Sequence, residues 1–321
     1  MFKHHSTDSL VLIWHSNWGN FAARVFVRVL GRLFYLPIFQ ICILLSMAFS
    51  PEARADNWLC GVGINMRSLE PRAAQNNDFV WQKVSELGVA AIDDLNAPEF
   101  KETKLRLSDL AFVPEYENAA LSWMRSASRA GVEIAIASDH ADYLGRHRAY
   151  VQSLSRGESG APKMTSWSEQ LLSQGLAMLL PQGRTDLTKL IAAENHAISQ
   201  RSGIWSDRSP GRAYFVAADQ GNTGLPRVHD AIGRFVLVEG ILRAVEHQEW
   251  RTYLNFGADW RRDFTIALED DVRRRLAKDQ SPDDAFSGWI GQKVRVRGIV
   301  ENRGGPYIAV DNPDRLCLMT D

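Results

Sequence analysis

The feature that most restricts the fold of this chain is an order of elements that occurs twice, first over residues 79–205 and again over 213–321. In the first stretch Leu105 and Leu107 alternate with Lys104, Arg106 and Ser108, the period-two pattern of a half-buried strand. Residues 115–130 put Ala120, Leu121, Met124 and Ala127 on one helical face, and Gly131 supplies the stop. Residues 132–136 alternate again as a strand. Ser166-Trp167-Ser168-Glu169 has the form of a capping box, opening a helix that Gly175 closes, and a further helix over 187–202 ends at Gly203.

Residues 206–212, Ser-Asp-Arg-Ser-Pro-Gly-Arg, carry turn chemistry and are expected to link two domains. The order then restarts. Strands are expected over 235–245, 250–256 and 264–268, a charged helix over 269–278, and two last strands over 294–300 and 307–310 around Arg303-Gly304-Gly305-Pro306. Three strands, a helix and two strands is the order of a five-stranded Greek-key barrel of the OB type. The expected fold is therefore mainly β with α: an OB-type barrel carrying extra helices over 79–205, then a second OB-like barrel over 213–321.

Ahead of both modules, residues 33–50 are mostly apolar, preceded by Arg24, Arg28 and Arg32 and followed by Ala53-Arg54-Ala55. That is the pattern of a secretory signal peptide cleaved after Ala55, leaving 56–78 as an N-terminal segment. The alternative is a membrane anchor, but Pro37 and Gln40 interrupt a run already short of the roughly 20 apolar residues a span needs. The expected location is periplasmic or secreted, with no stable span after processing. Cys60 and Cys317 then remain near the two ends of the processed chain, in a compartment where disulfides persist, either bridged or as two buried thiols.

Charge narrows the partners. The chain holds 37 basic and 38 acidic side chains, and removal of residues 1–55 leaves 32 and 36, a balance of −4. A protein living on nucleic-acid phosphates usually carries a basic excess, and none is visible here. His140, His147, His196, His229 and His247 are scattered without zinc-site spacing, and no Cys-x-x-Cys completes one.

Four stretches of the first module, taken in order, carry a likeness: Leu105-Arg106-Leu107 leading to Pro114-Glu115; Asp142-Tyr143-Leu144-Gly145-Arg146 with Ala149-Tyr150-Val151; Leu171-Leu172-Ser173-Gln174-Gly175-Leu176-Ala177; and Ala193-Glu194-Asn195-His196-Ala197 ending at Gly203-Ile204-Trp205. Together they resemble the staphylococcal-nuclease (thermonuclease) family of calcium-dependent phosphodiesterases with an OB fold. The second module, with Tyr253-Leu254-Asn255-Phe256-Gly257 and Val294-Arg295-Val296-Arg297-Gly298, resembles the C-terminal OB-like module of many proteobacterial thermonuclease-type proteins.

The first resemblance implies a kit in which two aspartates hold Ca²⁺, a glutamate activates water, and two arginines neutralise the phosphate. Carried over, Arg106 and Arg146 match the arginines and Glu115 the base. The aspartates depart from the pattern. Asp94, in Asp93-Asp94-Leu95-Asn96, is the candidate for the first ligand. The second ligand's place falls on Ala111 or Phe112, because the segment between Arg106 and Glu115 is one residue longer than usual, and Asp109 substitutes only if that residue bulges the strand. Two functions follow from this: a nuclease-like scaffold with a degraded Ca²⁺ site, weakly active or inactive, or an active secreted nuclease that cleaves DNA or RNA with Ca²⁺.

Other residues carry two readings each. Glu194 falls on the apolar stripe with Leu187, Leu190, Ile191 and Ile198, so its charge is expected to be paired as a structural anchor. Lys293, Arg295 and Arg297 alternate with Val294 and Val296, which puts three cations on one strand face. They are a candidate surface for single-stranded nucleic acid, with Tyr253, Trp260 and Trp289 as stacking platforms, or else a solvated edge. Residues 206–321 hold 17 basic and 18 acidic groups, which favours the solvated edge, and an envelope or periplasmic protein is the alternative partner.

Overall fold

A computed structural model describes residues 57–61, 64, 80–84, 99–100, 103–129, 131–138, 140–156, 160–182, 186–217, 227–259, 261–278 and 280–320. The expected leader (1–55) and Asp94 lie outside the described residues.

The architecture mixes sheet and helix. Along the chain run β1 (Asn57–Cys60), β2 (Gln82–Val84), β3 (Glu99–Phe100), β4 (Thr103–Leu107), β5 (Leu110–Ala111), α1 (Glu117–Ser128), β6 (Val132–Ile136), β7 (Arg146–Arg156) and β8 (Pro162–Ser166). They continue with α2 (Trp167–Ser173), β9 (Met178–Leu179), α3 (Thr188–Ser199), β10 (Tyr214–Ala217), β11 (Phe235–Ile241), β12 (Ala244–His247), β13 (Arg251–Asn255) and β14 (Thr265–Glu269). Last come α4 (Asp270–Ala277), α5 (Pro282–Ser287), β15 (Lys293–Ile299), β16 (Glu301–Asn302), β17 (Pro306–Val310) and β18 (Leu316–Thr320).

The first sheet has the order β2-β6-β7-β4-β3, with β8 on β7. The alternation read from the sequence decides which side is core: Leu105 and Leu107 of β4, Val132 and Ile134 of β6, and Ala149 and Val151 of β7 are buried together. Ala120 and Met124 of α1 and Trp167, Leu171 and Leu172 of α2 close over them. Ser166 is the N-cap of α2, its hydroxyl accepting the Glu169 N–H at 3.5 Å, as the capping box predicts. Gly175 closes α2 as expected, but α3 ends at Ser199 with Arg201 (φ +51°) in the left-handed stop position. Gly203, expected as that stop, opens the 3₁₀ turn Gly203–Trp205 and meets Gly175 back to back. Gly175 (φ +66°) and Gly203 (φ +54°) approach so closely that a Cβ on Gly175 would lie 2.3 Å from the Ser202 carbonyl oxygen. That contact lets the Ile204 N–H donate to the Gly175 carbonyl at 3.0 Å.

The second module is divided between two sheets, ordered β1-β18-β15-β11-β10 and β12-β13-β14-β17-β16. The single strand expected over 235–245 breaks at Leu242, whose N–H and carbonyl bond Gln292 and Gly291 instead of continuing the ladder. The alternating positions Val236, Val238, Leu254, Ile266, Leu268, Val294, Val296, Ile308 and Val310 gather into one core with Phe286 and Trp289, so Trp289 is a core side chain and no stacking platform. Trp260 lies outside the described residues.

Residues 55–321 gather as one unit. β1 pairs with β18 antiparallel, with Cys60 opposite Cys317, and the two sulfurs are bonded at 2.06 Å. Residues 206–212 are a chain of turns, with Ser206, Ser209 and Arg212 N–H groups bonding back to Gly203, Ser206 and Ser209. A small core of Val113, Met178, Ala197, Ile204, Trp205, Ala213 and Leu237 packs around them.

Candidate functional site

The site begins with β4 and β7, which pair in parallel so that Lys104 lies opposite Arg146 and Arg106 opposite Arg148. This register gathers three arginines on neighbouring strands. Arg106 is half-buried. Burial lowers its pKa from the ordinary value, and the like charges of Arg146 and Arg148 lower it further, against the opposing pull of Asp142 and Asp109. Arg106 and Arg146, the two arginines read from the sequence, are thus brought within each other's field.

The turn before β7 fixes Arg146. Asp142 Oδ1 accepts the backbone N–H groups of Leu144 and Arg146, each at 3.0 Å, while Oδ2 accepts Arg146 Nε at 2.9 Å and Nη2 at 2.8 Å. Gly145 takes φ +76°, which lets the chain turn back into the strand. The hydrogen bonds from Arg146 hold the Asp142 carboxyl down to about 2. Asp142 and Arg148 carried no assigned role in the sequence reading, although an Asp and an Arg four apart around a glycine turn are a readable pairing signal. Arg148 Nη1 donates to the Gln182 carbonyl.

The proposed base stands on a different support. Glu115 is exposed on the 3₁₀ turn Pro114–Tyr116. A Cβ on Gly211 would come within 3.0 Å of its Oε2, so the carboxylate lies against the 206–212 turns. Tyr116 Oη donates to the Gly203 carbonyl at 3.0 Å and ties the same turn down.

Asp109 occupies a left-handed turn position, φ +65°, between β4 and β5, and is fully buried. Its Oδ1 accepts the Gln182 N–H at 3.0 Å and its carbonyl accepts the Leu180 N–H at 2.9 Å, so it anchors the segment after β9. Ala111 pairs with Met178 of β9, and Phe112 packs against the first core. Among the described residues no group of three or more His, Cys, Asp and Glu side chains is placed to hold a metal ion.

The cationic face expected on β15 is corrected by burial. Arg295 and Arg297 are 2% and 0% exposed, and neither can meet a single strand or solvent. Arg297 Nη2 donates to Glu194 Oε2 of α3, whose Oε1 accepts the Leu179 N–H at 2.8 Å. Arg295 donates to Glu239 Oε1 from Nε at 2.8 Å and from Nη2 at 2.6 Å, and to Asn195 at 2.6 Å from Nη1, beneath Trp58 at 4.1 Å. Lys293 pairs with the other oxygen of Glu239 at 2.8 Å. The strand alternates as read, but its polar side is covered by α3 and β1 residues, because β15 is an interior strand with both faces buried. The anchor partner expected for Glu194 is Arg297.

No curated protein matches the chain. Residues 91–207 match the family model described as staphylococcal nuclease homologue, a span that holds the arginine turn, Glu115 and the Gly175–Gly203 contact. The chain therefore contains a staphylococcal-nuclease-like domain at residues 91–207.

Proposed function

We propose that this protein is an exported binding scaffold built on a thermonuclease-like domain, retaining the arginines of a phosphodiesterase but not the means to hold Ca²⁺, so that cleavage is weak or absent. The observation that carries this reading is the pair at the expected ligand position. Ala111 lies in a strand pair and Phe112 against the core, and neither offers an oxygen to a cation that takes about six to eight. Asp109, the substitute, is fully buried in its turn, with Oδ1 accepting the Gln182 N–H. No step through the metal is assigned to the described residues, among which no group of three or more His, Cys, Asp and Glu side chains is placed to hold a metal ion.

The arginines support the same reading. A phosphate approaching Arg146 competes with a carboxylate that already accepts two of its N–H groups. In this reading residues 213–321 form an OB-like module, and the partner is an envelope or periplasmic protein. Burial of Arg295 and Arg297 and a balance of −4 on the processed chain weigh against single-stranded nucleic acid. The arginine-flanked apolar run 33–50 and Ala53-Arg54-Ala55 support export, and among the described residues no helix is long and apolar enough to cross a membrane.

Calcium titration by calorimetry tests the reading. The wild-type protein is expected to show no binding below about 1 mM, the weak end of natural calcium sites, while Phe112→Asp or Ala111→Asp raises calcium affinity and cleavage together. Tight binding by the wild type that is lost in Asp109→Ala would contradict it.

A further inference from the structure

The sheet β12-β13-β14-β17-β16 turns Leu254, Ile266, Leu268, Ile308 and Val310 into the core. The period of two sends the intervening residues Arg251, Tyr253 and Asn255 of β13, Thr265 of β14 and Tyr307 of β17 to the opposite face. There they line a cavity of 470 Å³, within the size range of small-molecule sites.

Two observations indicate that this cavity is more than a surface fold. Tyr307 is 5% exposed, lines the cavity, and its buried hydroxyl has no hydrogen-bond partner in the protein. A buried hydroxyl left so is costly unless something else completes it. Second, the cations around the cavity are already answered. Arg251 pairs with Glu269 at 2.9 Å and Arg303 with Glu301 at 2.7 Å, while Glu246 adds a further negative charge to the lining. Such a site offers a phosphate little net attraction.

We propose that this cavity binds a neutral sugar ring, as the recognised unit of an oligosaccharide. Tyr253 presents an aromatic face for the apolar side of the ring. Asn255 Oδ1 accepts the Thr265 hydroxyl at 3.0 Å, which turns its amide N–H groups to serve as donors. The Arg303 guanidinium lies over the Tyr307 ring at 5.1 Å and walls one side, so the Tyr307 hydroxyl is left to meet a ligand hydroxyl at its edge. Burial raises the Tyr307 pKa, which keeps the proton that such a contact needs. Polyhydroxylated rings match this lining of one aromatic face, amides and a lone hydroxyl.

The test is calorimetric titration of the full chain with cellotriose, triacetylchitotriose and, as the polyanionic probe, hexathymidylate. At least one trisaccharide is expected to bind, with affinity reduced about tenfold or more by Tyr307→Phe and by Asn255→Ala. Thermal unfolding of Tyr307→Phe keeps the outcome readable. Its midpoint is expected to stay level or rise, since the change removes only an unpartnered buried hydroxyl and leaves the ring. Binding of neither trisaccharide, undiminished affinity in Tyr307→Phe, or a lowered midpoint in that variant would each overturn the proposal. So would hexathymidylate binding that Tyr253→Ala abolishes.

Discussion

Arg297→Met is expected to be among the most damaging single changes in the molecule. Both Arg297 and Glu194 are 0% exposed, so the ion pair is sealed from water on both sides. Removing the guanidinium leaves the Glu194 carboxylate in the interior with the Leu179 N–H on Oε1. Methionine fills much of the lost volume, so the cost is electrostatic more than steric. Breaking one side of a buried pair costs about 3–5 kcal/mol, a third or more of the roughly 5–15 kcal/mol that holds a domain folded. Adding Glu194→Gln removes the stranded charge and keeps an acceptor for Leu179, and it should return most of the loss. Urea unfolding followed by tryptophan fluorescence measures both, with the slope checked for two-state behaviour. A cost below about 1 kcal/mol for Arg297→Met, the scale of a surface pair, or a double variant less stable than the single one, would refute the reasoning.

The Glu239 carboxyl is pushed up by burial, but Arg295 and Lys293 outweigh this and hold it below its ordinary 4.5, and Asp142 is held at about 2. Both contribute stability that is present at neutral pH and lost as pH falls below about 4.5, so the urea midpoint should drop between pH 5 and about 2 and stay level above. Cys60→Ala with Cys317→Ala opens a loop with a sequence separation of 257. By the chain-entropy model that loosening costs about 5–6 kcal/mol, and an unchanged midpoint would show the link to be inert. Gly175→Ala forces a Cβ to 2.3 Å from the Ser202 carbonyl at φ +66°, so a loss of about 2–4 kcal/mol is expected by the same urea assay.

What was legible in the sequence was what short-range physics decides. The alternation around Leu105 and Leu107, the cap at Ser166 and the stop at Gly175 each depend on residues a few positions apart, and each reappears in the structure, whereas the stop expected at Gly203 falls at Arg201. Strand pairings across the chain were not legible. Cys60 and Cys317 pointed to a bridge between the two ends as one of two alternatives, but nothing near Asn57–Cys60 gives its strand register with Leu316–Thr320, which only the folded sheet sets. The face of β15 shows the same limit: alternation at Lys293, Arg295 and Arg297 separates two sides of a strand, but only the covering by Glu194, Asn195 and Trp58 decides that the polar side is interior. At the candidate site, Arg106 and Arg146 were found by motif, whereas the capture of Arg146 by Asp142 depends on a turn whose geometry the motif does not spell out.

The central claim, that the nuclease-like domain has lost its means of cleavage, is tested most directly by incubating the wild-type protein and Glu115→Ala with single-stranded DNA and RNA in millimolar Ca²⁺ and measuring product. The account predicts slow or no cleavage by the wild type, with no difference between the two proteins, since Ala111 and Phe112 place no oxygen at the ligand position. Rapid calcium-dependent cleavage by the wild type that disappears in Glu115→Ala would contradict it.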